Sequence, residues 1–540
     1  MTDDIHGISV SNLSYSLPDG RAIFQDVSFT IPSGAHAGVI GMNGAGKSTL
    51  LSLLSGELSR KGGTVESPGS LGHLRSELFR EPGTTVGRLL LAAELPDIQR
   101  LFLELGRAGE LALVDGDDAS GMAYAEVMER WHDRGGIERE RHWDELTMSV
   151  LGVSLDDCSS RPLQELSAGQ QRRLGLEAFL SAEHDVLLLD EAFNHVDVFA
   201  REELEERLMA SAKTVLFASH DRVFLSRCCD SVLSLEPSET GTVCTVSTDG
   251  LAGYLGRRNG VAEQLRIAQI NWQKTADKLR RNVQFYRDRA SSRAGTTQRK
   301  LVNHLEDGPT RLLEKAEVGF DFAASSRSGS LLRVIDFSFE PLFGGVSLEL
   351  GAHDRLAIVG RNGAGKSTLL QGIRDAYAAQ RSPGGEFRDS AADDRVRFSN
   401  SAKLGLFGNE PLPEPGSTVA QWAWIRVPAD MDTIEEFLVD YGLEACIDAA
   451  PATLSSGQRV CFELMLLDLG EANILLLDEP TEFLDFEASQ MFVEALRKFT
   501  GALVCVTHDR WFLNEFDQVG LLGAGGLRQM ADTSAYLLAP

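Results

Sequence analysis

The sequence predicts an α/β fold present twice, as two similar halves joined by a helical hairpin. Three observations predict it. The chain repeats itself, each half alternates short apolar runs with helical spacing, and a basic stretch with one apolar seam separates the halves.

The repeat is long. "VIGMNGAGKSTLL" at 39–51 recurs as "IVGRNGAGKSTLL" at 358–370, and "ELSAGQQRRLGLE" at 165–177 as "TLSSGQRVCFELM" at 453–465. "DVLLLDEAFNHVD" at 185–197 returns as "NILLLDEPTEFLD" at 473–485, and "FASHDRVFL" at 217–225 as "CVTHDRWFL" at 505–513. Gly169 and Gly457, Asp190 and Asp478, and His220 and His508 are each 288 apart, whereas Lys47 and Lys366 are 319 apart. The first half therefore carries 31 extra residues between its glycine-rich loop and "LSAGQ". Helical spacing in "YAEVMERWHDRGGIERERHW" makes that insertion, at about 90–150, mostly helical. "AGVIG", "VLLLD" and "VLFAS" read as buried strands whose ends carry the active groups. The domains expected are 1–250, a linker at 251–325, and 326–540.

Bulk properties narrow the class. With 540 residues, 43% hydrophobic and 24% charged, the chain is ordinary for globular domains. No run approaches the roughly 18 apolar residues of a spanning helix. The acidic start "MTDDIHGISV" lacks the order of a secretory leader. Seven scattered cysteines, with no C-x-x-C pair, support neither a zinc site nor a disulfide framework, so a reduced cytoplasmic setting is expected.

G-x-x-x-x-G-K-S occurs twice. Gly41, Met42, Asn43, Gly44, Ala45, Gly46, Lys47, Ser48 and Thr49 form one loop; Gly360, Arg361, Asn362, Gly363, Ala364, Gly365, Lys366, Ser367 and Thr368 form the other. Glycines let backbone N–H groups cradle phosphates at a helix N-terminus, the lysine reaches the β/γ-phosphates, and the serine hydroxyl serves Mg²⁺. Asp190 and Asp478 end apolar strands and are the expected Mg²⁺-side carboxylates. Glu191 and Glu479 follow directly, where a carboxylate can orient or deprotonate an attacking water. His220 and His508 each end a further strand; they serve as γ-phosphate contacts or as satisfied strand-end histidines. Tyr15 and Phe339 lie at matching places before the loops, as adenine platforms or as core.

This ordered set resembles the ATP-binding cassette superfamily over nearly the whole chain: phosphate loop, Leu-Ser-x-Gly-Gln signature, aspartate–glutamate strand and histidine. The resemblance implies two cassettes, each a mixed sheet core with a helical subdomain, paired head to tail within one monomer. It implies that Ser167, Ala168, Gly169 and Gln170 close over the ATP on Lys366, and that Ser455, Ser456, Gly457 and Gln458 close over the ATP on Lys47. ATP and Mg²⁺ are the implied cofactors, and hydrolysis the implied activity. Two fused cassettes without a membrane segment resemble the ABC-F subfamily, whose members act on the ribosome in translation or antibiotic resistance.

The segment 253–315 fits that subfamily's linker. Leu265, Ala268, Trp272, Ala276, Leu279, Val283, Tyr286 and Ala290 make one apolar helical seam, broken near 291–297. The segment holds 14 Lys and Arg against 6 Asp and Glu, a charge of +8, within a chain of net −27. Arg287, Arg289, Arg293, Arg299 and Lys300 near the turn read as contacts to ribosomal or transfer RNA, or as a solvated coiled-coil face. The insertion lies where the subfamily carries a ribosome-touching arm, and the C-terminal nucleic-acid extension of some members is not seen. Departures predict unequal sites. Ser76 and Asn409 replace the usual glutamine, Ala192 and Phe193 the usual Pro-Thr, and Glu482 and Phe483 the usual Asn-His. The alternative class is the ATP-binding subunit of a transporter with a separate membrane partner.

Overall fold

The computed structural model describes residues 7–18, 20–194, 196–238, 241–258, 329–381, 395–407, 416–482 and 484–530. The basic residues Arg287, Arg289, Arg293, Arg299 and Lys300, nearly all of the expected linker, and Asn409 and Phe483 lie outside the described residues.

Both halves are built on a five-stranded parallel core of one order. In the first half it runs Leu71–Leu74, Val186–Asp190, Thr214–Ala218, His36–Gly41, Ser231–Ser238. In the second it runs Leu404–Phe407, Ile474–Asp478, Ala502–Val506, Arg355–Val359, Gln518–Gly523. These strands are short and almost wholly apolar because helices cover both faces; Val186, Leu187, Leu188 and Leu189 are all 0% exposed. An antiparallel strand closes each core, Gly241–Ser247 or Gly526–Met530.

A second, antiparallel layer lies over each phosphate-loop helix. Gly7–Ser16 pairs with Ala22–Pro32 and Gly62–Glu66 in the first half, and Ser330–Phe339 with Phe343–Gly351 and Val396–Phe398 in the second. Its inward side chains pack on the helix and core strands in one cluster, for example Leu332, Val346, Leu369 and Ile358. In the first half a bridge between Phe24 and Thr242 joins this layer to the core as a nine-stranded sheet; in the second the two sheets remain separate.

The region that carries the extra length of the first half forms three helices, Pro96–Asp115, Asp118–Asp133 and Gly136–Leu151. Trp131, Trp143 and Phe102 pack ring to ring where they meet. Both indole N–H groups are satisfied by carboxylates, Trp131 by Glu140 at 2.9 Å and Trp143 by Glu94 at 3.2 Å. Among the described residues, the second half follows Val419–Arg426, the counterpart of Val86–Ala92, with the single α-helix Met431–Asp440 before its signature segment.

The halves exchange apolar residues. Val198 of the first half belongs to the core cluster of the second, and Phe486 of the second to that of the first. Each opens a helix directly after a capping aspartate, Asp197 or Asp485.

Candidate nucleotide site between the halves

Each glycine-rich loop leaves a core strand and enters a helix, Lys47–Leu54 or Lys366–Arg381. Gly46 (φ 99°) and Gly365 (φ 90°) stand at the turn into those helices, in left-handed conformation. A Cβ at Gly46 would come within 2.9 Å of the Phe24 ring, and one at Gly365 within 2.6 Å of the Phe343 ring. No side chain caps the helix after Gly46, so its first N–H groups face the loop, the arrangement that receives phosphate. Lys47 Nζ donates to the carbonyls of Gly41 at 2.9 Å and Met42 at 3.2 Å; Lys366 Nζ donates to those of Gly360 at 3.0 Å and Arg361 at 3.1 Å. Burial pushes both ammonium pKa values down, against the opposing field of nearby carboxylates. Gly365→Ala combines the clash with about 1–3 kcal/mol of backbone strain. It is expected to weaken ATP binding at Lys366 about tenfold or more, read by calorimetric titration.

The carboxylates stand at the adjacent strand end. Asp190 is 1% exposed; its Oδ2 accepts from Ser76 Oγ at 3.1 Å, and its buried Oδ1 has no hydrogen-bond partner among the described residues. A buried carboxylate oxygen with spare capacity fits a hard divalent cation. In the second half Ser367 Oγ donates to Asp478 Oδ1 at 3.2 Å. Glu191 and Glu479 both adopt left-handed backbone, φ 49° and 46°, which is rare for glutamate and turns each off the end of its strand.

Around these glutamates the halves differ. Glu191 Oε2 accepts from the Asn194 amide at 3.3 Å, and its Oε1 lies 4.0 Å from His220 Nε2. Glu479 Oε2 accepts from the His508 backbone N–H at 3.1 Å, and its Oε1 lies 3.7 Å from His508 Nε2. The residue matching Asn194 is Glu482, a second carboxylate. Burial, then the neighbouring Asp190, raises the Glu191 pKa; burial, then Glu482, pushes Glu479 up to about 8. Burial, then Lys47, lowers His220 to about 3, so its imidazole is neutral. Carboxylates with raised proton affinity, each facing an imidazole, suit proton abstraction from a bound water.

The Leu-Ser-x-Gly-Gln segments are helix caps. Ser167 Oγ accepts from the Gln170 N–H at 3.3 Å while Gln170 Oε1 accepts from the Ser167 N–H at 3.0 Å. Ser455 and Gln458 repeat the reciprocal pair at 3.2 Å and 2.9 Å. This capping box fixes where the helices Ala168–Ser181 and Ser456–Leu469 begin, and so aims their N-termini. Ser167→Ala is expected to cost about 1 kcal/mol, read as a lowered unfolding midpoint.

One cavity of about 460 Å³ brings the motifs together across the halves. Ser167, Ala168 and Gly169 of the first half line it with Lys366, Ser367, Thr368, Asp478, Glu479 and His508 of the second. Asn194 and His220 also reach it. At the other loop the Asn43 N–H donates to Asp485 Oδ2 of the second half at 3.3 Å. Phe339 is 49% exposed and does not line the cavity; Leu342 does. Tyr15 lies half-buried on the antiparallel layer, against the cluster that holds Phe24 and Ala45.

Two arginines that motif reading passed over cross between the halves. Arg222 lies 3.8 Å from the ring centroids of both Phe486 and Trp511, and donates to Phe486 O at 2.9 Å and Gln490 Oε1 at 3.2 Å. Arg510 Nη1 donates to Glu205 Oε2 at 3.0 Å, and Nη2 to Glu205 Oε1, with both side chains buried. The signal was present: "HDR" follows a core strand in both halves.

Comparison with known proteins agrees with this geometry. The family of ABC transporters matches residues 24–194 and 343–482. An antibiotic resistance protein of Mycobacteroides abscessus is 32% identical over 96% of this chain and 98% of its own. The tylosin resistance ATP-binding protein TlrC of Streptomyces fradiae is 31% identical over 92% of this chain and 94% of its own. Arabidopsis thaliana ABC transporter F family member 2 is 27% identical over 98% and 79%. Among solved structures, an archaeal ribosome recycling factor in complex with the ribosomal stalk protein superposes with TM-score 0.55 at 16% identity, over 98% of this chain and 92% of that one. That likeness shows a shared fold. Among the described residues no helix is long and apolar enough to cross a membrane.

Proposed function

Since the chain belongs to the ABC transporter family, in its twin-cassette ABC-F branch, we propose that it binds two ATP molecules between its cassettes and hydrolyses them to drive binding to and release from the ribosome. The observation that carries the nucleotide part is the shared cavity, which the signature serine of one cassette lines together with the phosphate-loop lysine of the other. ATP held there touches both cassettes, so binding closes them and loss of the γ-phosphate lets them part.

Ser48 with Asp190, and Ser367 with Asp478, would hold Mg²⁺. The ion, when bound, offsets phosphate charge. Lys47 and Lys366 bind the phosphates, the loop N–H groups orient them, and Glu191 and Glu479 take the proton of the attacking water. His220 and His508 hold their glutamates and the γ-phosphate in register. The ribosomal part is supported by the resistance proteins among the relatives and by the +8 charge of 253–315 in an otherwise acidic chain. Arg287, Arg289, Arg293, Arg299 and Lys300 are the proposed RNA contacts.

The two sites work unequally. Asn194 donates to Glu191, where Glu482 instead adds a negative charge beside Glu479. Single-site rates from Glu191→Gln and Glu479→Gln variants test the nucleotide part of this reading. Phosphate release that depends on Mg²⁺ and falls more in Glu191→Gln supports it. No release from the unaltered protein overturns the ATPase, and equal losses overturn the inequality.

A further inference from the structure

A buried charge in the first cassette has no counterpart in the second. Arg172 lies in the second turn of the signature helix Ala168–Ser181 and is 6% exposed. Its guanidinium carbon sits 4.1 Å from the centroid of the Phe79 ring, and Nη1 has no hydrogen-bond partner among the described residues. A buried guanidinium with an unsatisfied donor responds strongly to charge nearby. The nearby charges are Glu191, Asp190 and Glu77, which attract it, and Arg80, which opposes it.

The contact with Phe79 reaches the Lys47 site. Phe79 ends the short helical turn Ser76–Phe79, whose first residue donates to Asp190. One helical turn after Arg172, Gly175 keeps this face close, since a Cβ there would lie 3.0 Å from the Phe79 ring. Phe79 is thus clasped by the signature helix on one side of the loop that holds Asp190. The same helix is capped by Ser167, in the cavity of Lys366.

In the second cassette the positions of Arg172 and Gly175 are Val460 and Glu463. Val460 is buried in the apolar core. Glu463 accepts two bonds from Arg426, at 2.7 Å and 2.9 Å, which tie its helix to Val419–Arg426. That helix is anchored to its own helical subdomain by a buried pair.

We propose that Arg172 is a positioning residue that couples the two nucleotide sites: it ties the Ser76–Asp190 loop of the Lys47 site to the signature helix that serves the Lys366 site. This rests on the reading of two bound ATP molecules. Charge arriving beside Asp190 and Glu191 changes the field on Arg172, and the rigid helix carries the adjustment about one and a half turns to Ser167. The thread runs through the first cassette, because Val460 carries no charge to respond. By linkage the coupling acts equally in both directions on binding.

The test is calorimetric titration of the full chain with Mg-ATPγS. Affinity at Lys366 is compared with the Lys47 site filled, in the unaltered protein, and emptied, by Lys47→Ala. A coupling of about tenfold is expected in the unaltered protein. Arg172→Met keeps the stem but removes the charge, and should bring the factor to about one while single-site affinities hold. Val460→Ala should leave it near tenfold. A merely structural arginine would alter affinity or stability but not the ratio. If Arg172→Met does not fold, Phe79→Leu, which removes the ring under the guanidinium, should lower the ratio below about threefold. A ratio unchanged in Arg172→Met or Phe79→Leu, or lost equally in Val460→Ala, overturns the inference. Absence of any binding at Lys366 in the unaltered protein overturns the two-nucleotide reading, and the inference with it.

Discussion

Replacing both Glu191 and Glu479 with glutamine is expected to lower ATP turnover about a thousandfold while ATP affinity stays within a few-fold. Glutamine keeps the size and the hydrogen-bonding oxygen, so the turn at each strand end is retained. It cannot accept a proton from water. The phosphate loops, serines and aspartates that hold the nucleotide are untouched. Steady-state phosphate release against calorimetric binding separates the two effects. A fall in binding equal to the fall in turnover would mean that these carboxylates hold the nucleotide rather than activate water.

Arg510→Ala has the second largest effect, on how the halves hold together. Glu205 is 0% exposed, and Arg510 from the other half makes two bonds to it. Removing one partner of a buried pair leaves a charge without compensation, which costs about 3–5 kcal/mol. Arg227, 3.1 Å from Glu205 Oε2, remains, so the lower end is expected. For a unit of this size that corresponds to a fall in midpoint of about 6–12 °C. Removing both partners as Arg510→Met with Glu205→Met should recover most of the loss, since the penalty comes from the orphaned charge. A change within about 0.5 kcal/mol for Arg510→Ala would show that the pair does not hold the interface.

Much of this was legible in the sequence because the two halves are copies. A spacing of 288 residues matched the strands Val186–Asp190 and Thr214–Ala218 and the residues at their ends to their counterparts, a spacing of 319 matched the phosphate loops, and the parallel cores share one strand order. The glycine-rich loops were legible because their backbone needs glycine where a Cβ would strike Phe24 or Phe343. The signature segments are legible only through the resemblance that has them close over ATP, and their capping boxes went unnoticed although Ser-x-x-Gln is a local pattern. Arg222, Arg510 and Arg172 could not be ranked from sequence. The first two meet partners more than 260 residues away, and the third is set apart by burial, which no local pattern encodes. Phe339, an aromatic at the expected offset, is half exposed, has its ring centroid 6.4 Å from that of Phe343, and lies outside the cavity that Leu342 lines.

The central claim is that ATP closes the cassettes into a form that engages the ribosome. Its most direct test is sedimentation of the Glu191→Gln/Glu479→Gln protein with cell lysate through a sucrose gradient, with and without ATP. Closed cassettes that cannot activate water should persist, so the protein should travel with ribosomes when ATP is present and stay at the top when it is absent. A protein that binds ATP yet stays at the top in both gradients would contradict the account. Travel with membranes instead would favour the energising subunit of a transporter.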